Sequence, residues 1–151
     1  MTELVPTNIS DMIGKIETLF KQDSAFEHVV VHRGEPINEN PAFCPWLGIY
    51  GVDIRYPPRA VGYGTGYRYQ YANLLVIAQV IGVDGVSAEL SREELVQNVL
   101  RVLFSNATLE GLAQGLGEDV DVVYPDYRRT DRGYMQTAAI YFSLIGAIRP
   151  R

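Results

Sequence analysis

Three sets of residues in the chain have types and spacings that could do chemistry. The first is Gly62-x-Gly64-x-Gly66, which resembles a phosphate loop in composition. A phosphate loop must open a helix, because the free amides of the helix N-terminus hold the anion. Here the glycines run into Tyr67, Arg68, Tyr69, Gln70 and Tyr71, a strand-like stretch, and no Gly-Lys-Ser/Thr follows. The glycines therefore read as a flexible arm. The second set is His28, His32 and Cys44, a conceivable metal trio with the histidines four apart on one face of a strand. A Pro-rich loop separates them from the cysteine, whereas metal sites use closer, preorganised ligands. Rim histidines and a buried free thiol are the simpler reading, and no elbow motif makes Cys44 a nucleophile. The third set is Glu118, Asp119 and Asp121, then Asp126 and Asp131, interleaved with Arg128, Arg129 and Arg132. Acids mixed with arginines in exposed loops suit salt bridges between subunits or a solvated rim. No enzyme, metal or cofactor is expected from these sets.

Composition narrows the class. At 151 residues, 47% hydrophobic and 21% charged, the chain fits one folded domain with its own core. A net charge of −5 disfavours non-specific binding of nucleic acid, although an acidic wall can let DNA slide past. A single cysteine excludes an intrachain disulfide and fits a reducing compartment. The start Met-Thr-Glu-Leu-Val-Pro lacks the basic and apolar regions of a signal peptide. The longest run without charge near the end, Gly133 to Ile148, falls short of the roughly 20 apolar residues of a membrane helix.

The positioning elements follow from periodicity. Ile9, Met12, Ile13, Ile16, Leu19 and Phe20 recur at helical spacing, predicting a helix over Asn8 to Asp23 capped by Asn8 or Ser10. Ala25 to Arg33 reads as a short strand, and Trp46 to Ile54 as a second, its two glycines suggesting a bulge. Tyr67 to Val83 is the organising stretch. If extended it spans roughly 55 Å, against a diameter of roughly 40 Å for a compact chain of this length. From Ala72 onward it reads as core strand. From Arg55 to Tyr71 it reads as a projecting hairpin arm built for a neighbour. Asp84-Gly85 reads as a turn, and Ser91 with Glu94 as the capping box of a buried helix ending at Ser105. Thr108 to Gly117 reads as loop or frayed helix, Val120 to Tyr124 as a fourth strand, Pro125 to Gly133 as a charged hairpin loop, and Tyr134 to Ile148 as the last strand. The expected fold is a two-layer α+β domain in the order α-β-β-β-α-β-β, over residues 1–151. Its mostly antiparallel sheet of about five strands carries both helices on one face.

This order resembles the tail terminator, or tail-completion, proteins of long-tailed bacteriophages. The likeness rests on the amphipathic helix Ile9 to Phe20, the Pro-rich loop entering a strand at Cys44-Pro-Trp-Leu-Gly-Ile-Tyr, the long aromatic arm, the buried helix after Ser91 and the uncharged last strand. It covers nearly the whole chain and rests on pattern, with no catalytic signature. The resemblance implies a structural virion protein at the head-proximal end of the tail, assembled in the host cytoplasm. It implies a ring, typically hexameric, that caps the tail tube, stops its polymerisation and docks the head or neck connector, with genomic DNA passing through the lumen unbound. The expected subunit interface is Arg59, Tyr63, Tyr67, Arg68, Tyr69 and Tyr71 on the arm, with Arg128, Arg129, Asp131 and Arg132 on the loop. The alternatives are a head-completion, neck or tail-tube protein and, more distantly, a small enzyme or ligand-binding domain using His28, His32 and Cys44.

Overall fold

The computed structural model describes residues 4–5, 8–34, 44–55, 68–111, 113, 115–117, 119–125 and 128–150. The elements run β1 (Leu4–Val5), α1 (Ile9–Gln22), β2 (Val30–Arg33), β3 (Trp46–Arg55), β4 (Arg68–Gly82), α2 (Gly85–Ser105), β5 (Gly115–Leu116), β6 (Asp121–Val123), β7 (Arg128–Thr130) and β8 (Gly133–Pro150). The fold is α+β with a mostly antiparallel sheet in the order β1-β8-β4-β3-β2; β5, β6 and β7 also pair with β8. Since β4 occupies one edge of β8, these three short strands line its other edge. The sheet thus holds more strands than the expected five, because β8 is long enough to collect short partners that alternation alone does not reveal.

The β4–β8 ladder is the spine of the molecule. It pairs continuously from Arg68 opposite Ile148 to Gly82 opposite Tyr134. Its even positions face the helices. Ala72, Leu74, Val76, Ala78 and Val80 join Ala138, Ile140, Phe142 and Leu144 in one core cluster. Above them lie Met12, Ile16 and Phe20 of α1 and Leu95, Val96, Val99, Val102 and Leu103 of α2. The stripe of α1 follows the i, i+4 spacing that puts side chains one above another on a helix. Asn8 caps α1, accepting from the Ser10 amide at 2.7 Å.

Several expectations are corrected. The second helix begins at Gly85, not Ser91. Asp84 is its N-cap, with the carboxylate accepting from the Ser87 amide at 2.7 Å. An Asp-Gly pair suits a turn and a helix start equally, since both need a short side chain that bonds its own backbone. Ser91 and Glu94 therefore lie inside the helix. Ser24–Phe26 forms a single helical turn, which leaves only Val30–Arg33 as strand. That strand pairs parallel to β3, not antiparallel. The connection from Gly34 to Pro45 is long enough to carry the chain back for a parallel partner. The Pro125–Gly133 loop is partly strand: β7 folds back on β8 through a turn at Asp131-Arg132, and Gly133 takes φ +138°. The bulge expected in β3 occurs between Gly51 and Asp53. Among the described residues no helix is long and apolar enough to cross a membrane.

Candidate assembly interface

Odd positions of β4 and β8 point away from both helices. Pairing aligns them in rows across the strands. One row runs Val123, Ala139, Ile77, Gly48, His32; the next runs Asp121, Tyr141, Leu75, Tyr50. A third joins Thr137, Gln79, Trp46 and Val30. The middle of this face is buried, with Trp46 at 1% and Ile77 at 6% exposure, yet neither residue belongs to the core cluster under the helices. The rim is open: Val123 is 49% and Tyr141 42% exposed. Aromatic and β-branched side chains on the outer side of a sheet fit a surface that another element covers.

The centre of this face also carries polar atoms without partners. His32 stacks on Trp46 at 5.0 Å between ring centroids and meets Tyr50 edge-on at 6.4 Å. His32 Nδ1, Trp46 Nε1 and Gln79 Oε1 are buried with no hydrogen-bond partner. The Gln79 amide nitrogen donates to the Thr137 hydroxyl at 3.1 Å. Buried polar atoms left unpaired each cost free energy, so this cluster lowers the stability of the sheet around it.

Where β3 bulges, a groove of about 250 Å³ opens on the same face, lined in part by Val52, Asp53, Asn73, Asp119, Asp121 and Tyr141. Ser143 donates to the Asn73 side-chain oxygen, and the Asn73 amide donates to Asp53. Asp53 is thus oriented by one neutral donor. Asp119 and Asp121 are exposed beside it.

At the other end of β8 the β7 hairpin presents its arginines. Arg128, Arg129 and Arg132 are exposed, and Asp131 sits between them in the turn. The Arg129 guanidinium lies 5.7 Å from the centre of the Tyr134 ring. Nearby, Arg92 of α2 lies 4.0 Å from the Tyr124 ring centre and donates to Gln136, tying β8 to the helix layer. Burial, reinforced by Glu93, pushes the Tyr124 hydroxyl above the usual tyrosine pKa.

The structure sorts the expected interface residues into two groups. Arg128, Arg129, Asp131 and Arg132 come together in one hairpin. Tyr71 lies far from them, half-buried on the helix-free face opposite Ile145. Met135, which faces Arg128, is about 33 Å from Ile145 along the strand at ~3.3 Å per residue. Arg68 and Tyr69 are the first residues of β4, paired with Ile148 and Ala147. Arg59, Tyr63, Tyr67 and the glycines at 62, 64 and 66 lie outside the described residues, as does most of the proposed arm.

The histidine–cysteine trio is not brought together. His28 lies in the turn before β2, exposed, with Nε2 3.1 Å from Glu27. His32 is committed to the Trp46 stack, so the two histidines do not share a strand face. Cys44 is half-buried before β3, and burial pushes its thiol pKa up, away from the reactive thiolate. Among the described residues no three His, Cys, Asp or Glu side chains converge on a metal position. A second cavity, about 270 Å³, lies between Ala25, Val29 and α2, bordered by Ser91, Glu94 and Asn98.

Asp53, Trp46, Gln79 and Tyr141 were not singled out by the sequence reading. Period-two alternation in β8 could have flagged Tyr141, because it puts Tyr141 opposite the apolar Ile140 and Phe142. The groove beside it could not have been found that way, since it depends on the bulge. No protein-family model matches the chain, and no curated protein matches it. What the fold defines is a class: an α+β domain whose sheet, among the described residues, is packed by helices on one side.

Proposed function

We propose that this chain is a structural virion protein of the tail-terminator type, working as a ring of identical copies. The ring caps the tail tube, halts its polymerisation and presents the surface on which the head or neck connector docks. Genomic DNA passes through the lumen without specific binding. On this reading its partners are further copies of itself, the tube protein and the connector, and its place is the head-proximal end of the tail after assembly in the host cytoplasm.

The observation that carries the reading is the helix-free sheet face. Its rim, where Val123 and Tyr141 stay exposed beside Asp119 and Asp121, suits a surface finished by another subunit. A ring built from one chain uses a head-to-tail contact that closes, so two different surfaces of each copy must meet. The amphipathic α1, the buried face of α2 and the long last strand are the features that the resemblance described above rests on. Sedimentation velocity and electron microscopy of the purified protein, alone and mixed with tail tubes, test the proposal. A closed ring that sits at tube ends is the expected result. A chain that stays monomeric at every concentration and ignores tubes would sink it, and open-ended polymers would point to a tube subunit.

A further inference from the structure

We infer that the helix-free face docks a second copy of this chain by opposite charge: the β7–β8 hairpin of one copy, carrying Arg129 and Arg132, covers the groove bordered by Asp53, Asp119 and Asp121 of the next. This rests on the assembly reading, because it requires that copies meet. It adds which two surfaces meet.

The acids of the groove border the middle of β8, and the arginines of the hairpin lie at its start. The ion pairs among the described residues are Lys15–Glu110, Lys21–Glu17, His28–Glu27, Arg92–Glu93 and Arg101–Asp23. None uses Asp53, Asp119 or Asp121, and none uses Arg129 or Arg132. The groove gathers three carboxylates beside the uncharged Val52, Asn73 and Tyr141. The hairpin carries Arg128, Arg129 and Arg132 against one acid, Asp131, so three positive charges less one negative leave +2.

The two sets cannot neutralise each other in one copy. Asp121 faces Tyr141 and Arg128 faces Met135 on the same strand. Six residues of strand separate them by about 20 Å, more than twice the ~8 Å screening length at physiological salt. Two neighbouring copies can bring them together. The exposed Val123 and Tyr141 lie next to the acids, so a docked hairpin would also cover apolar surface that the single chain leaves wet. A divalent cation is the weaker occupant, since the described acids do not converge on a metal position. Nucleic acid is repelled by the same carboxylates.

Two charge-reversed proteins test the docking. One is Arg129→Glu with Arg132→Glu; the other is Asp119→Arg with Asp121→Arg. All four side chains are exposed, and circular dichroism checks that each protein is folded. The milder Arg129→Gln, Arg132→Gln pair serves if a reversal misfolds. Sedimentation velocity is run at 50 mM and 500 mM salt. Each reversed protein alone should assemble about tenfold more weakly than wild type. Mixing the two in equal amounts should restore assembly, because each acidic hairpin then finds a basic groove and the reverse. Wild-type assembly should also weaken at high salt. If wild type assembles and both reversals assemble equally well, or the mixture restores nothing, the docking is wrong while the assembly reading stands. A wild type that never assembles overturns both. Assembly into a closed dimer rescued by mixing keeps the docking and overturns the ring.

Discussion

Ile140 and Tyr141 are neighbours on one strand, and they sample the two faces of the same sheet. Ile140 is fully buried under α1 and α2, whereas Tyr141 is partly open beside the acidic groove. Across the ladder the same division separates Val76 from Leu75. On the helix side, the core cluster closes between the sheet and the helices, so those residues determine whether the domain folds. On the other side, Val123 and Tyr141 stay open at the rim, and three carboxylates border the groove beside them. Residues there can change what the domain joins without changing whether it folds. The comparison fails if the two faces respond alike to substitution.

The largest expected effect is on the helix side. Ile140→Ala removes a fully buried side chain and should cost about 3 kcal/mol, lowering Tm by roughly 10 °C. Tyr141→Ala should cost the single chain less, about 1 kcal/mol, because the residue is 42% exposed. It should instead weaken self-association in sedimentation. Urea unfolding of both variants at a concentration that keeps wild type dispersed separates these effects. An equal loss of stability would erase the distinction between the faces.

The next effect tests the junction where the two layers meet. At Gly82 an added Cβ would lie 2.4 Å from the Ala88 amide nitrogen, against helix backbone that cannot yield. At Gly133, with φ +138°, it would lie 2.4 Å from the Gly82 carbonyl oxygen. Gly82→Ala and Gly133→Ala should each cost about 2 kcal/mol, from overpacking at the first and from overpacking plus backbone strain at the second. A thermal melt checks both. A variant as stable as wild type would mean that α2 is not pressed onto the ladder at this end. Asp84→Ala acts close by and more gently. Without the cap the Ser87 amide loses its acceptor, and Tm should fall by about 3 °C.

Legibility from sequence followed how local each determinant is. The α1 stripe, the core half of Tyr67–Val83 and the uncharged last strand were readable because alternation and helical spacing depend on near neighbours. The start of α2 was missed because Asp84-Gly85 satisfies two local rules at once, and tertiary packing of Ala88 on Gly82 selects the helix. The parallel pairing of β2 was missed because strand order is set by long-range packing that a loop's length only permits. Short strands β5, β6 and β7 exist only as partners of β8 and have no pattern of their own. For the candidate interface, the basic hairpin was readable as a run of charge. The groove was not, since Asp53 and Asp121 come from strands far apart in sequence and meet through the bulge at Val52. Their individual charges were visible, but their convergence on one groove was not.

The smallest effect concerns charge that the helix layer does match. Both guanidinium nitrogens of Arg101 lie 2.9 Å from the Asp23 carboxylate, tying the end of α1 to α2. The Arg101 hydrogen bonds, with help from the Ala25 amide, hold the Asp23 pKa below the usual carboxylate range. A carboxylate favoured in the folded state adds stability above the unfolded pKa of about 3.9, and that stability is lost as pH falls through the lower folded value. Asp23→Asn should therefore lower Tm at pH 7 and match wild type near pH 2. Because the pair is solvent-exposed, the difference at pH 7 should stay within about 2 °C and shrink in 500 mM salt. The same salt should dissociate copies joined through the arginine hairpin and the acidic groove. If salt moved Tm strongly and left assembly untouched, those charges would belong to folding, and the division between the two faces would be reversed.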